Sequence, residues 1–162
     1  MNKICSLEKA IKISKKLRTE GKVIVLAGGV FDILHIAHVR FLEKAKQKGD
    51  SLFVLLESDE NVRKLKGKSR PINSQKNRAI ILSALTSVDH VVILPSLKTD
   101  TNYDKIVSQI RPSIIATTAK DPNILHKKRQ AKQINGRVVY VLKRISDQST
   151  TRLARLIGQD SL

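Results

Sequence analysis

The sequence has one cysteine, Cys5, no tryptophan, and aromatic residues at only 3% of its 162 positions. A single thiol excludes an internal disulfide framework and any multi-cysteine zinc module. So few aromatics leave little with which to stack bases, which argues against single-strand nucleic-acid binding by stacking. Long apolar runs are missing as well. The longest uncharged one, Val23 to Phe31, is about half a membrane span, so no transmembrane helix and no membrane partner are expected. The N-terminus reaches Glu8 and Lys9 with no apolar core of a signal peptide before them, so the cytoplasm is the expected compartment. Acids are scarce too. Fourteen Asp and Glu stand against 31 Lys and Arg, a net charge of +17.

That charge points to an anion as partner or substrate, and nucleic acid, acidic lipid and nucleotide phosphates all qualify. A solvated, lysine-rich surface gives the same total, so charge by itself selects none of them. At 41% hydrophobic, the chain is too apolar for a disordered basic tail. The length predicts a single domain over 1–162, with an N-terminal helix within 1–20 and a core over 22–157. A domain of that size buries roughly 70% of its unfolded surface and needs no staple.

Hydrophobic periodicity divides the chain into alternating strands and helices. Leu7 to Glu20 is helical, with Ser6 as N-cap. Val23 to Leu26 is a continuous apolar run, broken by Ala27-Gly28-Gly29. His35 to Lys48 reads as a helix ended by Gly49, and Leu52 to Leu56 as a second buried strand. Ser58 to Asn73 is polar and basic and reads as a loop with room for a helical turn, and Ser74 to Leu85 as a helix capped by Ser74. His90 to Leu94, Ile114 to Ala116 and Val138 to Leu142 are three further strands. Helices are predicted over Tyr103 to Ile110, Ile124 to Ile134 and Thr150 to Ile157. Five continuous rather than alternating apolar strands, interleaved with helices, predict an α/β fold: a three-layer, doubly wound, five-stranded parallel sheet. Ligands of such sheets bind beyond the carboxyl ends of the strands, at the switch point.

The loop after the first of these strands, Gly28 to His38, holds the strongest candidate chemistry. Two glycines let backbone N–H groups approach a phosphate closely. The following helix aims its positive end at the same place. His35 and His38 are three apart and share a helix face. The same pattern also fits a tight turn with two surface histidines, or half of a metal site whose remaining ligands are not evident. Other phosphate motifs fail. Gly67-Lys68-Ser69 resembles the end of a P-loop, but Val62 stands where the first glycine belongs.

Taken further, Gly29-Val30-Phe31-Asp32-Ile33-Leu34-His35-Ile36-Ala37-His38 resembles the G-x-F-D-x-x-H-x-G-H motif of the cytidylyltransferase-like nucleotidyltransferases, whose fold is Rossmann-like and of the HIGH type. The likeness runs on through Gly49-Asp50, Ser58-Asp59, Val62 to Gly67, Arg70 to Asn73, Arg78 and Val88-Asp89. Arg144 to Thr151 resembles the family's R-T-x-G-I-S-T-T, with Arg144, Ser149, Thr150 and Thr151 in register. The resemblance spans roughly residues 4 to 157, and the Arg63 to Asn73 stretch looks most like the nucleotidyltransferase domain of ADP-heptose synthase. Glycerol-3-phosphate and ethanolamine-phosphate cytidylyltransferases and archaeal FAD synthetase are the next relatives. Departures are Ala37 for the glycine between the histidines, Asp147-Gln148 for Gly-Ile, and Thr117-Thr118-Ala119-Lys120 for Lys-Gly-Gly-Asp.

The resemblance implies transfer of a nucleoside monophosphate from ATP or CTP, with Mg²⁺, to a phosphorylated acceptor such as a sugar 1-phosphate, releasing pyrophosphate. The other acceptors it allows are glycerol 3-phosphate, a related alcohol phosphate, or FMN. His35, His38, Lys66 and Arg144 become the expected catalytic residues. Gly28, Gly29, Val30, Phe31, Lys64, Asp59, Ser149, Thr150 and Thr151 become expected nucleotide contacts, with Lys64 and Lys66 on a mobile basic loop. Asp32 is expected either to help bind Mg²⁺ or to cap the helix, and Arg78 to meet the acceptor phosphate or a structural acid. No protein-held metal site and no nucleic acid partner are expected, and a homodimer is implied. The reading from another class is a non-catalytic nucleotide- or RNA-binding protein on the same scaffold.

Overall fold

The computed structural model of the protein describes residues 2–119 and 121–143. The elements are β1 (Ile4–Ser6), α1 (Leu7–Thr19), β2 (Ile24–Gly29), α2 (Ile36–Lys46), β3 (Ser51–Leu56), α3 (Asp59–Lys66), α4 (Gln75–Ser83), β4 (His90–Ile93), α5 (Asp100–Ile110), β5 (Ile114–Thr118), α6 (Ile124–Gln133) and β6 (Arg137–Leu142). The strands form one sheet of order β1-β4-β3-β2-β5-β6. Every pairing in it is parallel.

Each strand side chain points to the face opposite its neighbour's, so a fully apolar strand must be covered on both sides. Leu52, Val54 and Leu56 of β3 join Val25 and Ala27 in a core closed by Phe41, Leu42 and Ala45 of α2 and Ala79 and Leu82 of α4. Phe53 and Leu55 point the other way and join Ile24 and Leu26 beneath Ala10 of α1, Ile106, Val107 and Ile110 of α5, and Ala131 of α6. The result is the expected three-layer α/β sandwich. Three helices start where a serine hydroxyl accepts an otherwise orphaned backbone N–H: Ser6 from Lys9, Ser58 from Asn61 and Ser74 from Asn77.

Four differences from the sequence reading stand out. The sheet has six strands rather than five, because Ile4–Ser6 pairs with β4 (Cys5 opposite Val92). Three residues are too few to make a periodic signal. β2 runs on through Gly28 and Gly29, which pair with Leu55 and Leu56 of β3 rather than breaking the strand. The stretch taken as a loop after Ser58 folds into α3, its capping serine followed by acids in the first turn and bases in the last. α5 begins at Asp100 rather than Tyr103. The closing helix expected over Thr150 to Ile157 lies outside the described residues.

Candidate active site

β2 is hydrogen-bonded to β3 on one side and β5 on the other, so the strand order reverses at its carboxyl end. There the connection from β2 to α2 leaves toward one face and the connection from β5 to α6 toward the other, which opens a crevice. Gly28 is solvent-exposed although it sits in the centre of the sheet. Gly29 serves a different purpose. A Cβ on it would lie 2.9 Å from Cε2 of Phe31, so the second glycine makes room for that ring. Phe31 itself has φ 48, a left-handed conformation that aromatic residues rarely adopt and that costs of order 1–3 kcal/mol. The turn holds its ring buried, edge-on to His38 at 5.1 Å between centroids.

His35 is the N-cap of α2 and makes no side-chain cap bond. The His35 and His38 rings stack at 3.8 Å between centroids, 22° from parallel. Nδ1 of each ring is buried and has no hydrogen-bond partner. Burial pushes the His35 imidazole below its ordinary value. Burial, reinforced by repulsion from His35 and only partly opposed by a hydrogen bond with the Ile33 backbone, pushes His38 down to about 4. Two neutral imidazoles therefore sit at the positive end of a helix beside an exposed strand glycine. Buried polar atoms left without partners call for a ligand that supplies them, and anions are what a helix N-terminus attracts.

Asp32 neither caps α2, whose N-cap is His35, nor faces open space. Its carboxylate accepts from Arg70 Nε at 2.5 Å and from the backbone N–H groups of Ile72 and Asn73 at 2.9 Å each, and Asn73 Nδ2 donates to the Asp32 carbonyl at 2.8 Å. Burial raises this carboxyl's pKa, but the Asn73 and Ile72 N–H bonds and Arg70 outweigh it and hold the group below its ordinary value. Of the two alternatives for Asp32, the helix cap is excluded, because His35 holds that place. Asp32 clamps residues 70–73 to the turn after β2.

Arg78 is fully buried. It donates to the carbonyls of Asn73 (3.0 Å), Val30 (2.5 Å) and Glu57 (2.8 Å) and to Asp59 Oδ1 (2.7 Å). Of the two groups considered for Arg78, the structure shows the structural acid, Asp59, beside three backbone carbonyls. Lys64 and Lys66 lie on α3 rather than on a loop. Lys64 pairs with Glu60 at 2.6 Å, one helical turn away, and Lys66 is exposed in the last turn. Arg144, Ser149, Thr150 and Thr151, like Lys120, lie outside the described residues.

Two polar clusters at the same end of the sheet were not singled out from sequence. At the end of β5, Asp121 Oδ2 accepts from Thr117 Oγ1 (2.5 Å) and Lys127 Nζ (2.6 Å). Past β3, Glu57 accepts from Tyr103 and Asn61. The replacement of the family's Lys-Gly-Gly-Asp was the available signal for the first. The second joins residues 46 apart in sequence and left none.

A family model described as cytidylyltransferase-like matches residues 26–155. The chain belongs to the cytidylyltransferase-like family. That membership supports the enzyme class the motifs imply, nucleotidyltransferase. The Bifunctional protein HldE of Wolinella succinogenes is 46% identical over 113 residues, covering 70% of this chain and 23% of that protein. The protein of the same name from Desulfatibacillum aliphaticivorans is 32% identical over 152 residues, covering 93% of this chain and 30% of that one. The chain thus spans about a quarter of the length of the curated relatives it matches. Among solved structures, a lipopolysaccharide core biosynthesis protein from Thermoplasma volcanium superposes with TM-score 0.62 at 28% identity, over 76% of this chain and 98% of that one. A pantoate-beta-alanine ligase from Francisella tularensis gives TM-score 0.62 at 16% identity, over 96% of this chain and 77% of that one, a likeness of fold alone.

Proposed function

We propose that the protein transfers a nucleoside monophosphate from ATP or CTP to a phosphorylated acceptor, a sugar 1-phosphate such as D-glycero-D-manno-heptose 1-phosphate. An oxygen of the acceptor phosphate bonds to the α-phosphorus, the bond from that phosphorus to the β-phosphate bridge breaks, and pyrophosphate leaves. The acceptor phosphate is already ionised near neutral pH, so no general base is needed and catalysis consists of positioning and charge stabilisation.

The stacked His35–His38 pair at the helix end, with a buried Nδ1 on each ring left without a partner, is the observation that carries this reading. Neutral imidazoles donate through N–H to phosphate oxygens without a desolvated cation having to be stored in the free protein. Lys66, exposed in the last turn of α3, supplies positive charge. Arg144 is assigned a bidentate grip on phosphate and Ser149, Thr150 and Thr151 the hydroxyls that meet it, on the strength of their motif. Asp32 and Arg78 act through the turn they brace and are positioning residues.

A protein-held magnesium ion does not fit. The one carboxylate of the motif is taken by Arg70, Ile72 and Asn73, and no three His, Cys, Asp or Glu side chains group as ligands among the described residues. The ion belongs to the triphosphate substrate, whose phosphates with water satisfy it.

The relatives' shared name and the match along Arg63 to Asn73 favour the heptose-type acceptor. The homodimer implied by the resemblance is part of the same reading, and light scattering tests it. The activity test is pyrophosphate release with Mg²⁺, crossing ATP and CTP with heptose 1-phosphate, glycerol 3-phosphate, phosphoethanolamine and FMN. Turnover is expected with the sugar phosphate, and His38→Ala should lower kcat by about 10²–10³-fold, the usual cost of losing one charge-stabilising donor. Nucleotide binding without turnover on any acceptor would refute transfer in favour of the non-catalytic reading.

A further inference from the structure

The exposed Gly28 and the polar cluster past β3 belong to one place. Side chains alternate along a strand, so Gly28 shares the sheet face of Leu26, the face covered by α1, α5 and α6. Leu55 pairs with Gly28 and points to that same face. Glu57, two residues on, follows it, and its N–H donates to the Gly29 carbonyl at 3.2 Å. A Cβ on Gly28 would touch only Leu55, at 3.7 Å. The missing side chain therefore leaves open space on the sheet face where Tyr103 of α5 bonds the half-buried Glu57.

Glu57 is held there by neutral groups. Tyr103 of α5 donates its hydroxyl to the carboxylate, 2.9 Å from both oxygens, and Asn61 Nδ2 lies 3.2 Å from Oε2. Asn61 Nδ2 also donates to the Tyr103 oxygen at 3.1 Å, and its Oδ1 accepts from Ser96 at 3.2 Å. Burial and the Glu57 carboxylate push the Tyr103 phenol well above its ordinary value, so it remains a donor. Among the described residues no lysine or arginine pairs with the Glu57 side chain, in a protein of net charge +17. A carboxylate offers about four lone-pair sites, and Tyr103 and Asn61 do not fill them.

An unneutralised carboxylate repels phosphate, so this place serves an uncharged part of a substrate. Its surroundings mix donors and acceptors. That suits hydroxyls, which do both, whereas an ammonium site presents acceptors alone. We propose that Glu57, positioned by Tyr103 and Asn61, binds the vicinal hydroxyls of a substrate in the crevice over Gly28. This deepens the proposed function and rests on it only for what the substrates are. Two sources carry the same chemistry: the polyol of the acceptor and the ribose of the nucleotide.

Equilibrium binding separates this inference from turnover. Wild type, Glu57→Gln and Tyr103→Phe are titrated by calorimetry with mannose 1-phosphate against ethyl phosphate, and with ATP against 2′,3′-dideoxy-ATP. Wild type should prefer the hydroxylated member of one pair by at least about tenfold, the usual scale of a hydrogen bond to a charged group. Glu57→Gln should erase that preference and leave the poorer ligand's affinity unchanged, and Tyr103→Phe should move it the same way. Loss in the mannose pair names the acceptor polyol, and loss in the ATP pair names the ribose. The inference is overturned if wild type shows no preference in either pair, or if the preference survives in both variants. A retained preference with no turnover on any acceptor would count against transfer and leave this site standing.

Discussion

His38 shows how much one side chain's surroundings decide. Its ring is stacked on His35 and edged by Phe31, and burial pushes it down to about 4. An unfolded histidine titrates near 6.5. Above that pH both states are neutral. Between about 6.5 and 4 the unfolded chain takes up a proton that the native ring refuses, so stability must fall as pH falls through this window. His35 is shifted in the same direction. Thermal unfolding midpoints across pH 7 to 4.5 should therefore decline, and His38→Gln should flatten the decline. An equal slope in both proteins would show that His38 titrates normally in the fold. Asp32 marks the limit of reading single residues. Its place in the motif was legible, but its partners, Arg70, Ile72 and Asn73, lie about forty positions downstream, and nothing local to Asp32 announces them.

At the level of elements, local chemistry placed most helices and close approach explains the exceptions. Ser6 and Ser74 cap helices where the pattern of polar and apolar residues put them. Gly49 was legible as a helix stop, yet α2 ends at Lys46 and the glycine's reason is different. A Cβ there would lie 2.7 Å from the Val23 carbonyl oxygen and 2.8 Å from methyls of Val23 and Val25. The chain crosses directly over β2's entry at this point. Gly49→Ala should therefore destabilise by about 1–3 kcal/mol, the usual cost of overpacking, measurable as a lower urea midpoint with an unchanged slope. Gly21→Ala is the control for a glycine with nothing within 4 Å of its missing Cβ, where only the left-handed φ of 69 resists substitution. The α3 helix escaped the sequence reading because its eight residues present only Val62 and the polar Asn61 to the interior, too little for a helical period to register.

Across the whole molecule, the proposed function gives the surplus of positive charge and the crevice of the sheet the same ligand. Substrates carrying several phosphates are drawn by the summed field, and salt screens that field over about 10 Å at 0.1 M. Raising salt from about 0.05 to 0.5 M should raise KM for the triphosphate several-fold and leave kcat nearly constant. A salt-independent KM would mean that the +17 lies on surface the substrate never senses. The class of fold was legible in one dimension because strand burial on two faces and helix burial on one write different periods into the chain. The first glycine-to-histidine loop was legible because its chemistry is contiguous. The edge strand β1, the clamp from Asp32 to Asn73, the four-way bracing by Arg78 and the Glu57–Tyr103 contact were not. Each joins residues far apart in sequence, and their distances follow from sheet order and packing rather than from any neighbour's identity. Strand order also chose which apolar run became central, and with it which glycine of the pair faces open space and which one yields room to Phe31.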